Sequence, residues 1–274
     1  MAGLLSYFVT SLLYALLAAY FWRTHWRNTG QATTLSTTKS QLSEKAAILL
    51  PLLLHSFLLY QSIWSDQGLN LGVGNAVSAI VWLAVLIYWV ASFRYNLEGL
   101  QTLILGVACA SVLLPIALPV AHKVPYTQLP VFKAHLLVAL LAYSLFTIAA
   151  LHALLMALVE RRLHGGVTMF ASLPPLLTME NLLFRIIAAG FLLLTLTLAS
   201  GILFSEELFN KPLRFNHKTL FALISWAIFA ALLIGRKIYG WRGRVAIRWT
   251  LSGFAALLLA YVGSKFILEN ILHR

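Results

Sequence analysis

Apolar residues fill this chain in long runs, and short polar stretches separate one run from the next. A helix rising 1.5 Å per residue needs about 20 apolar residues to cross a hydrocarbon core roughly 30 Å thick. Eight runs approach or exceed that length: Leu4–Trp22, Ala46–Trp64, Leu71–Phe93, Leu100–Ala121, Val131–Leu158, Leu182–Phe204, Thr219–Ile234 and Ala246–Leu268. The seventh is short, but Lys218 at one end and Arg236 with Lys237 at the other can reach to the headgroups and extend it. Pro115 and Pro119 predict a kink in the second half of the fourth. The expected fold class is all-α: a polytopic membrane protein, a bundle of about eight transmembrane helices forming a single transmembrane domain over residues 1–274. No internal repeat stands out, so the inverted-repeat signature of many secondary transporters is missing.

Composition agrees with this pattern. Of 274 residues 61% are hydrophobic and 10% charged, where a soluble domain carries about a quarter charged. Mean hydropathy is +0.86. No stretch between the apolar runs is long enough to fold as a soluble domain. The net charge of +12 does not point to nucleic acid, because the basic residues sit at the ends of apolar runs and form no patch with interleaved aromatics. That placement marks topology signals and contacts with membrane lipids. The loops after runs one, three, five and seven hold twelve Lys and Arg, and the opposite side holds seven, with Arg185 left in the first turns of run six. The richer side belongs in the cytoplasm, so both termini are expected outside. Outside means periplasmic for an inner-membrane protein of a Gram-negative cell. The first run has its positive charges, Arg23 and Arg27, after the apolar core; this fits an anchor with an outer N-terminus better than a cleaved signal peptide.

The chemistry available is narrow. A single cysteine, Cys109, lies within an apolar run, and no CxxC or CxxCH is present. This excludes thiol–disulfide exchange and covalent attachment of a c-type haem. The eight carboxylates all lie near span ends, Asp66, Glu206, Glu207 and Glu269 outside and Glu44, Glu98, Glu160 and Glu180 inside, so no acidic proton relay crosses the membrane. No histidines are spaced i, i+3 or i+4 for zinc, and no nucleophile–base arrangement points to an enzyme. The stretches from Thr29 to Ser43 and from His164 to Glu180 read as connectors, the latter with Thr178 as a possible helix cap, and Gly72-Val73-Gly74 has no phosphate-loop context.

Eight histidines stand out against this background. Imidazole is the ionisable group most easily buried in lipid, because it can remain neutral, and neutral imidazole ligates haem iron. His55 lies ten residues after Lys45, about 15 Å into the second span and near mid-bilayer. His122, His135, His217 and His273 converge on the outer face. His152 is seventeen residues beyond His135, roughly 25 Å deeper and on another helix face, so those two cannot share one iron. His25 and His164 read as loop residues, His122 and His273 equally as helix-end residues, and His152 as a packing residue. His135 and His55 fit either a ligand or a packing role on the residues alone. Lys123, Lys133, Lys211, Arg214 and Lys218 lie beside the outer histidines and can pair with carboxylates such as haem propionates or simply meet headgroups.

Several stretches together resemble the cytochrome c assembly family (CcsA, CcmC, HemX). They are His135-Leu-Leu-Val-Ala-Leu-Leu-Ala-Tyr143-Ser144 on a helix ending in Glu160-Arg161-Arg162, Leu173-Pro-Pro-Leu-Leu-Thr-Met-Glu180, Leu-Thr-Leu-Thr-Leu-Ala-Ser between Gly190 and Gly201, Gly240-Trp-Arg-Gly-Arg244 and Ala260-Tyr-Val-Gly-Ser264. The similarity is greatest from about residue 130 onward and points to the short YpjD-type inner-membrane branch. The resemblance implies an eight-helix, haem-handling membrane protein, not an enzyme in the usual sense. It implies non-covalent haem, and partners among other cytochrome c assembly or membrane proteins. His135 matches the first outer haem-ligand histidine, His273 falls close to the second, His55 is similar in place to a histidine that holds haem within the bilayer, and His217 lies in the outer signature segment. Lys133, Arg214 and Lys218 become candidates to pair with the propionates. One departure is plain: Ser205 to Lys218 contains no tryptophan, where full assembly proteins carry a WWD segment. Haem binding or trafficking is therefore expected here in place of complete haem ligation. The competing expectations are a small-molecule or ion transporter and a non-haem membrane scaffold.

Overall fold

In hydrocarbon every backbone N–H and C=O must find its partner within the chain, so apolar runs become helices. The computed structural model describes residues 2–27, 38–65, 68–95, 97–118, 129–164, 175–209 and 217–263. Its helices are α1 (Ala2–Phe21), α2 (Thr38–Ile63), α3 (Val73–Ala91), α4 (Leu100–Ala117), α5 (Pro130–His164), α6 (Leu176–Phe209), α7 (His217–Tyr239) and α8 (Arg244–Leu258). Short π-helical turns extend α1 over Trp22–Arg27 and α8 over Leu259–Gly263. Among the described residues seven helices, α1 to α7, are long and apolar enough to cross a membrane. The eighth returns along α7, where the Ser225 hydroxyl donates to the Gly253 carbonyl at 2.9 Å.

Helix ends differ from the apolar runs in both directions. α5 has 35 residues and α6 has 34, well beyond the predicted spans. The reason is that polar residues such as Glu160 and Arg161 leave the hydrocarbon without breaking the i to i−4 ladder. α7 likewise continues through Arg236 and Lys237 to Tyr239. α4 stops at Ala117, short of the expected Ala121, and Leu118 has left helical geometry (φ −127°, ψ 74°). Leu118 precedes Pro119, and the residue before a proline is pushed out of the α region. Pro119 to Ala121 lie outside the described residues.

Part of the connection between α2 and α3 is regular structure. Strands β1 (Trp64–Ser65) and β2 (Gly68–Leu69) pair antiparallel. The Asn75 amide on α3 donates to the carbonyls of Ser62 and Asn70 at 3.2 and 2.8 Å. Gly74 has a packing reason: a Cβ there would lie 2.6 Å from the Leu114 carbonyl oxygen, so only glycine lets α3 approach α4 so closely.

α3 and α5 form the middle of the bundle. α2 and α4 pack on α3, α1 packs on α4 and α2, and α6 and α8 pack on α5, with α7 closing the second group. The Ser144 hydroxyl on α5 donates to the Ile80 carbonyl on α3 at 2.9 Å, joining the two groups. On the other flank of α5, Phe146 stacks on Phe229 of α7 with centroids 4.0 Å apart.

Candidate functional site

Cross-helix contacts establish which residues share an end of the bundle. His135 meets Ser200 near the start of α5 and the end of α6, whereas His152 meets Met179 towards the other end, so the two helices run antiparallel. α7 runs antiparallel to α6 in turn, since Trp226 donates to Thr195 at 3.0 Å and Arg236 pairs with Glu180. The start of α7, at His217, therefore lies at the His135 end. The end of α8 approaches α5 as well, with the rings of Tyr261 and Tyr143 6.0 Å apart edge to face.

His135 is half-buried in the seam between α5 and α6. Its Nδ1 lies 2.7 Å from the Ser200 hydroxyl, and that hydroxyl donates to the Thr197 carbonyl one turn back on α6, at 3.1 Å. A Cβ on Gly201 would stand 3.6 Å from Cε1 of His135, at ordinary van der Waals distance, so the ring lies beside that turn of α6. Nε2 has no partner among the described residues. A neutral imidazole with one nitrogen anchored and the other open is what an axial haem ligand requires, and His135 fits one such position. Of the other candidates, Lys218 is the second residue of α7 and half-buried, and Lys133 is exposed. Lys133 precedes His135 by two helical residues, which places it about 200° round the helix. His217 opens α7 with its side chain outside the described ones. His122, Arg214 and His273 lie outside the described residues altogether.

His55 occupies a different place. It is 1% exposed among α1, α2 and α3, with Nε2 2.8 Å from the Ser78 hydroxyl and Nδ1 3.5 Å from the Tyr14 hydroxyl. Both ring nitrogens are thus engaged in joining three helices, and coordination of iron would require one to be released. His152 was expected to be a satisfied packing residue, and the structure satisfies only half of it. Its Nε2 donates to the Met179 carbonyl at 2.9 Å, while Nδ1 is buried without a partner among the described residues.

The opposite end carries a cluster that sequence spacing did not reveal. Glu180, at the start of α6, is 5% exposed. Its Oε1 accepts from Arg236 of α7 and, at 3.2 Å, from Nε of Arg242; its Oε2 accepts from the Gly243 backbone N–H at 3.1 Å. The loop can present that N–H because Gly240 and Gly243 both take positive φ (63° and 52°), a region side chains disfavour. Arg236 also lies 4.7 Å over the Phe184 ring, and Arg244 pairs with Glu160 of α5 at 2.7 Å. The Gly240-Trp-Arg-Gly-Arg244 segment is thus a clasp over the ends of α5, α6, α7 and α8. Arg185 is exposed and meets no polar partner among the described residues, which leaves the headgroup region, within reach of a long side chain, as its charge's place.

The sequence is similar to those of several known proteins. Inner membrane protein YpjD of Escherichia coli K12 is 28% identical over 207 residues, covering 75% of this chain and 78% of that protein. Cytochrome c biogenesis protein CcsA of Synechocystis is 36% identical over 90 residues, 33% of this chain and 27% of that protein. An uncharacterised protein of Azospirillum brasilense is 34% identical over 144 residues, about half of each chain. The similarity to the inner-membrane relative, with the apolar helices, makes this a multi-pass inner-membrane protein. The model of the cytochrome c assembly protein family matches residues 42–272, which takes in α3 to α8 and all but the first turn of α2, and the chain belongs to that family.

Proposed function

We propose that this protein binds haem at the outer end of the bundle and serves cytochrome c assembly or haem trafficking, without catalysing a reaction of its own. The observation that carries the reading is the state of His135, anchored through Nδ1 and open at Nε2 beside a half-buried seam. Haem, when bound, supplies the iron and its redox chemistry. The chain's part is to hold it, orient it and limit its contact with water. His135 would be one of the residues that hold the haem iron. The other would be His273 or His217, the former by its place in the family pattern and the latter because α7 begins at the same end. Lys218 and Arg214 pair with the propionates more readily than Lys133, which the helix turns away from His135. His55, engaged on both nitrogens, holds α1, α2 and α3 together and serves haem only at a separate, deeper position. The absence of tryptophan between Ser205 and Lys218 favours holding or delivering haem over joining it to an apocytochrome. Other assembly proteins and membrane lipids are its partners.

Hemin titration of the purified protein in detergent tests this. The expected result is a defined low-spin Soret band, lost or shifted in His135→Ala and in either His273→Ala or His217→Ala. A broad spectrum of loosely associated hemin, the same in all variants, would favour a non-haem scaffold.

A further inference from the structure

Ser200 makes two contacts with only one hydroxyl proton. Its oxygen lies 2.7 Å from Nδ1 of His135 and 3.1 Å from the Thr197 carbonyl. The carbonyl can only accept, so the serine proton must point to it for that bond to exist. The contact with His135 can then be made only if the imidazole donates from Nδ1 to the serine oxygen. Donation the other way, from serine to an unprotonated Nδ1, would forfeit the bond to Thr197. Both contacts hold together in one proton arrangement alone: Nδ1–H to Ser200, and Ser200 O–H to Thr197.

We infer that Ser200 is a positioning residue for His135, which fixes the imidazole in its Nδ1–H tautomer and so keeps the Nε2 lone pair free for a metal centre. The consequence for haem rests on the reading of His135 as an axial ligand; the proton assignment does not. Three features support the arrangement. The acceptor carbonyl and the serine are one turn apart on a continuous helix, so the relay is rigid. The α5–α6 seam is held close elsewhere, with Gly190 beneath the Phe146 ring at 3.2 Å from a would-be Cβ. Cε1 of the ring lies beside the Gly201 turn of α6, 3.6 Å from where a Cβ there would stand.

Two measurements on the full-length protein test it. In the first, protein labelled with ¹⁵N-histidine and free of hemin is examined by NMR, with the His135 signals identified by their loss in His135→Ala. Nδ1 should carry the proton and Nε2 should show the shift of an unprotonated nitrogen. Ser200→Ala should abolish this preference and Ser200→Thr should retain it. In the second, hemin affinity should fall about 10-fold in Ser200→Ala, at the lower end of what the loss of such a supporting hydrogen bond does to metal sites, and recover in Ser200→Thr. A wild-type His135 protonated on Nε2 overturns the inference, and this result does not depend on any variant folding. Ser200→Ala with unchanged tautomer and affinity overturns it as well. If wild type binds no hemin yet shows the Nδ1–H tautomer, the haem reading fails while the proton assignment stands.

Discussion

Replacing Glu180 with alanine removes the common acceptor of three donors at the end of the bundle opposite His135. The Gly243 N–H loses a charge-assisted hydrogen bond, a loss of about 1.5–3 kcal/mol where the donor is left partly buried. Arg236 has a side chain 27% exposed against 7% for Glu180, between a surface pair of negligible strength and a buried pair whose disruption costs about 3–5 kcal/mol; about 2 kcal/mol is a reasonable share. Arg242, with 56% of its side chain exposed, adds about 0.5 kcal/mol or less. Because the donors share one carboxylate these losses overlap, and about 3 kcal/mol is expected for Glu180→Ala. Glu180→Gln should lose about 2 kcal/mol, since the amide oxygen still accepts from one donor. Unfolding in mixed micelles with increasing SDS, followed by far-UV circular dichroism, gives these differences. A double-mutant cycle with Arg236→Ala isolates the pair, with a coupling of about 1–3 kcal/mol expected. A coupling under about 0.5 kcal/mol would refute the view that Glu180 is what clasps α6 to α7 and to the loop after it.

Other perturbations follow from the same geometry. Gly74→Ala forces a methyl to 2.6 Å from the Leu114 carbonyl oxygen; because a backbone atom cannot swing aside, stability in the same assay should fall by about 1–3 kcal/mol. His152→Ala should cost about 1–3 kcal/mol through the lost donor to Met179, and His152→Leu less, since the leucine fills the space while the unpartnered Nδ1 disappears with the ring. Neither they nor His164→Ala should alter a hemin spectrum. Single cysteines placed near Arg242 in a Cys109→Ser background should react with impermeant maleimide only after the membrane is opened, and those near His122 or His217 without opening. Labelling near Arg242 in intact spheroplasts would reverse the assigned orientation.

The eight helices were legible because lipid leaves a long apolar run no other choice, and among the described residues seven of them are long and apolar enough to span. Helix ends were not. Glu160 and Arg161 mark where α5 leaves hydrocarbon, but an α-helix tolerates both, so the element runs on to His164. At α4 the opposite holds, since Pro119 ends the helix through its effect on Leu118 while the run is still apolar. His135 could be singled out from depth and motif, yet its partner Ser200 lies 65 residues away on another helix and stood only as part of a family-like run. Glu180 and its two arginines are separated by 56 and 62 residues, with no spacing rule to connect them. Gly72-Val73-Gly74 looked featureless because the reason for Gly74 is the backbone of α4, which a one-dimensional pattern does not contain.

The central claim is that His135 presents Nε2 to haem iron at the outer end of the bundle. Its most direct test is chemical replacement of the ring. His135→Gly protein is loaded with hemin, and the absorption spectrum is recorded with and without added imidazole, beside wild type. The account predicts a sharp low-spin Soret band in wild type, its loss in His135→Gly, and its return when imidazole fills the vacated position. An unchanged band in His135→Gly, or a lost band that imidazole does not restore at any concentration, would contradict the claim.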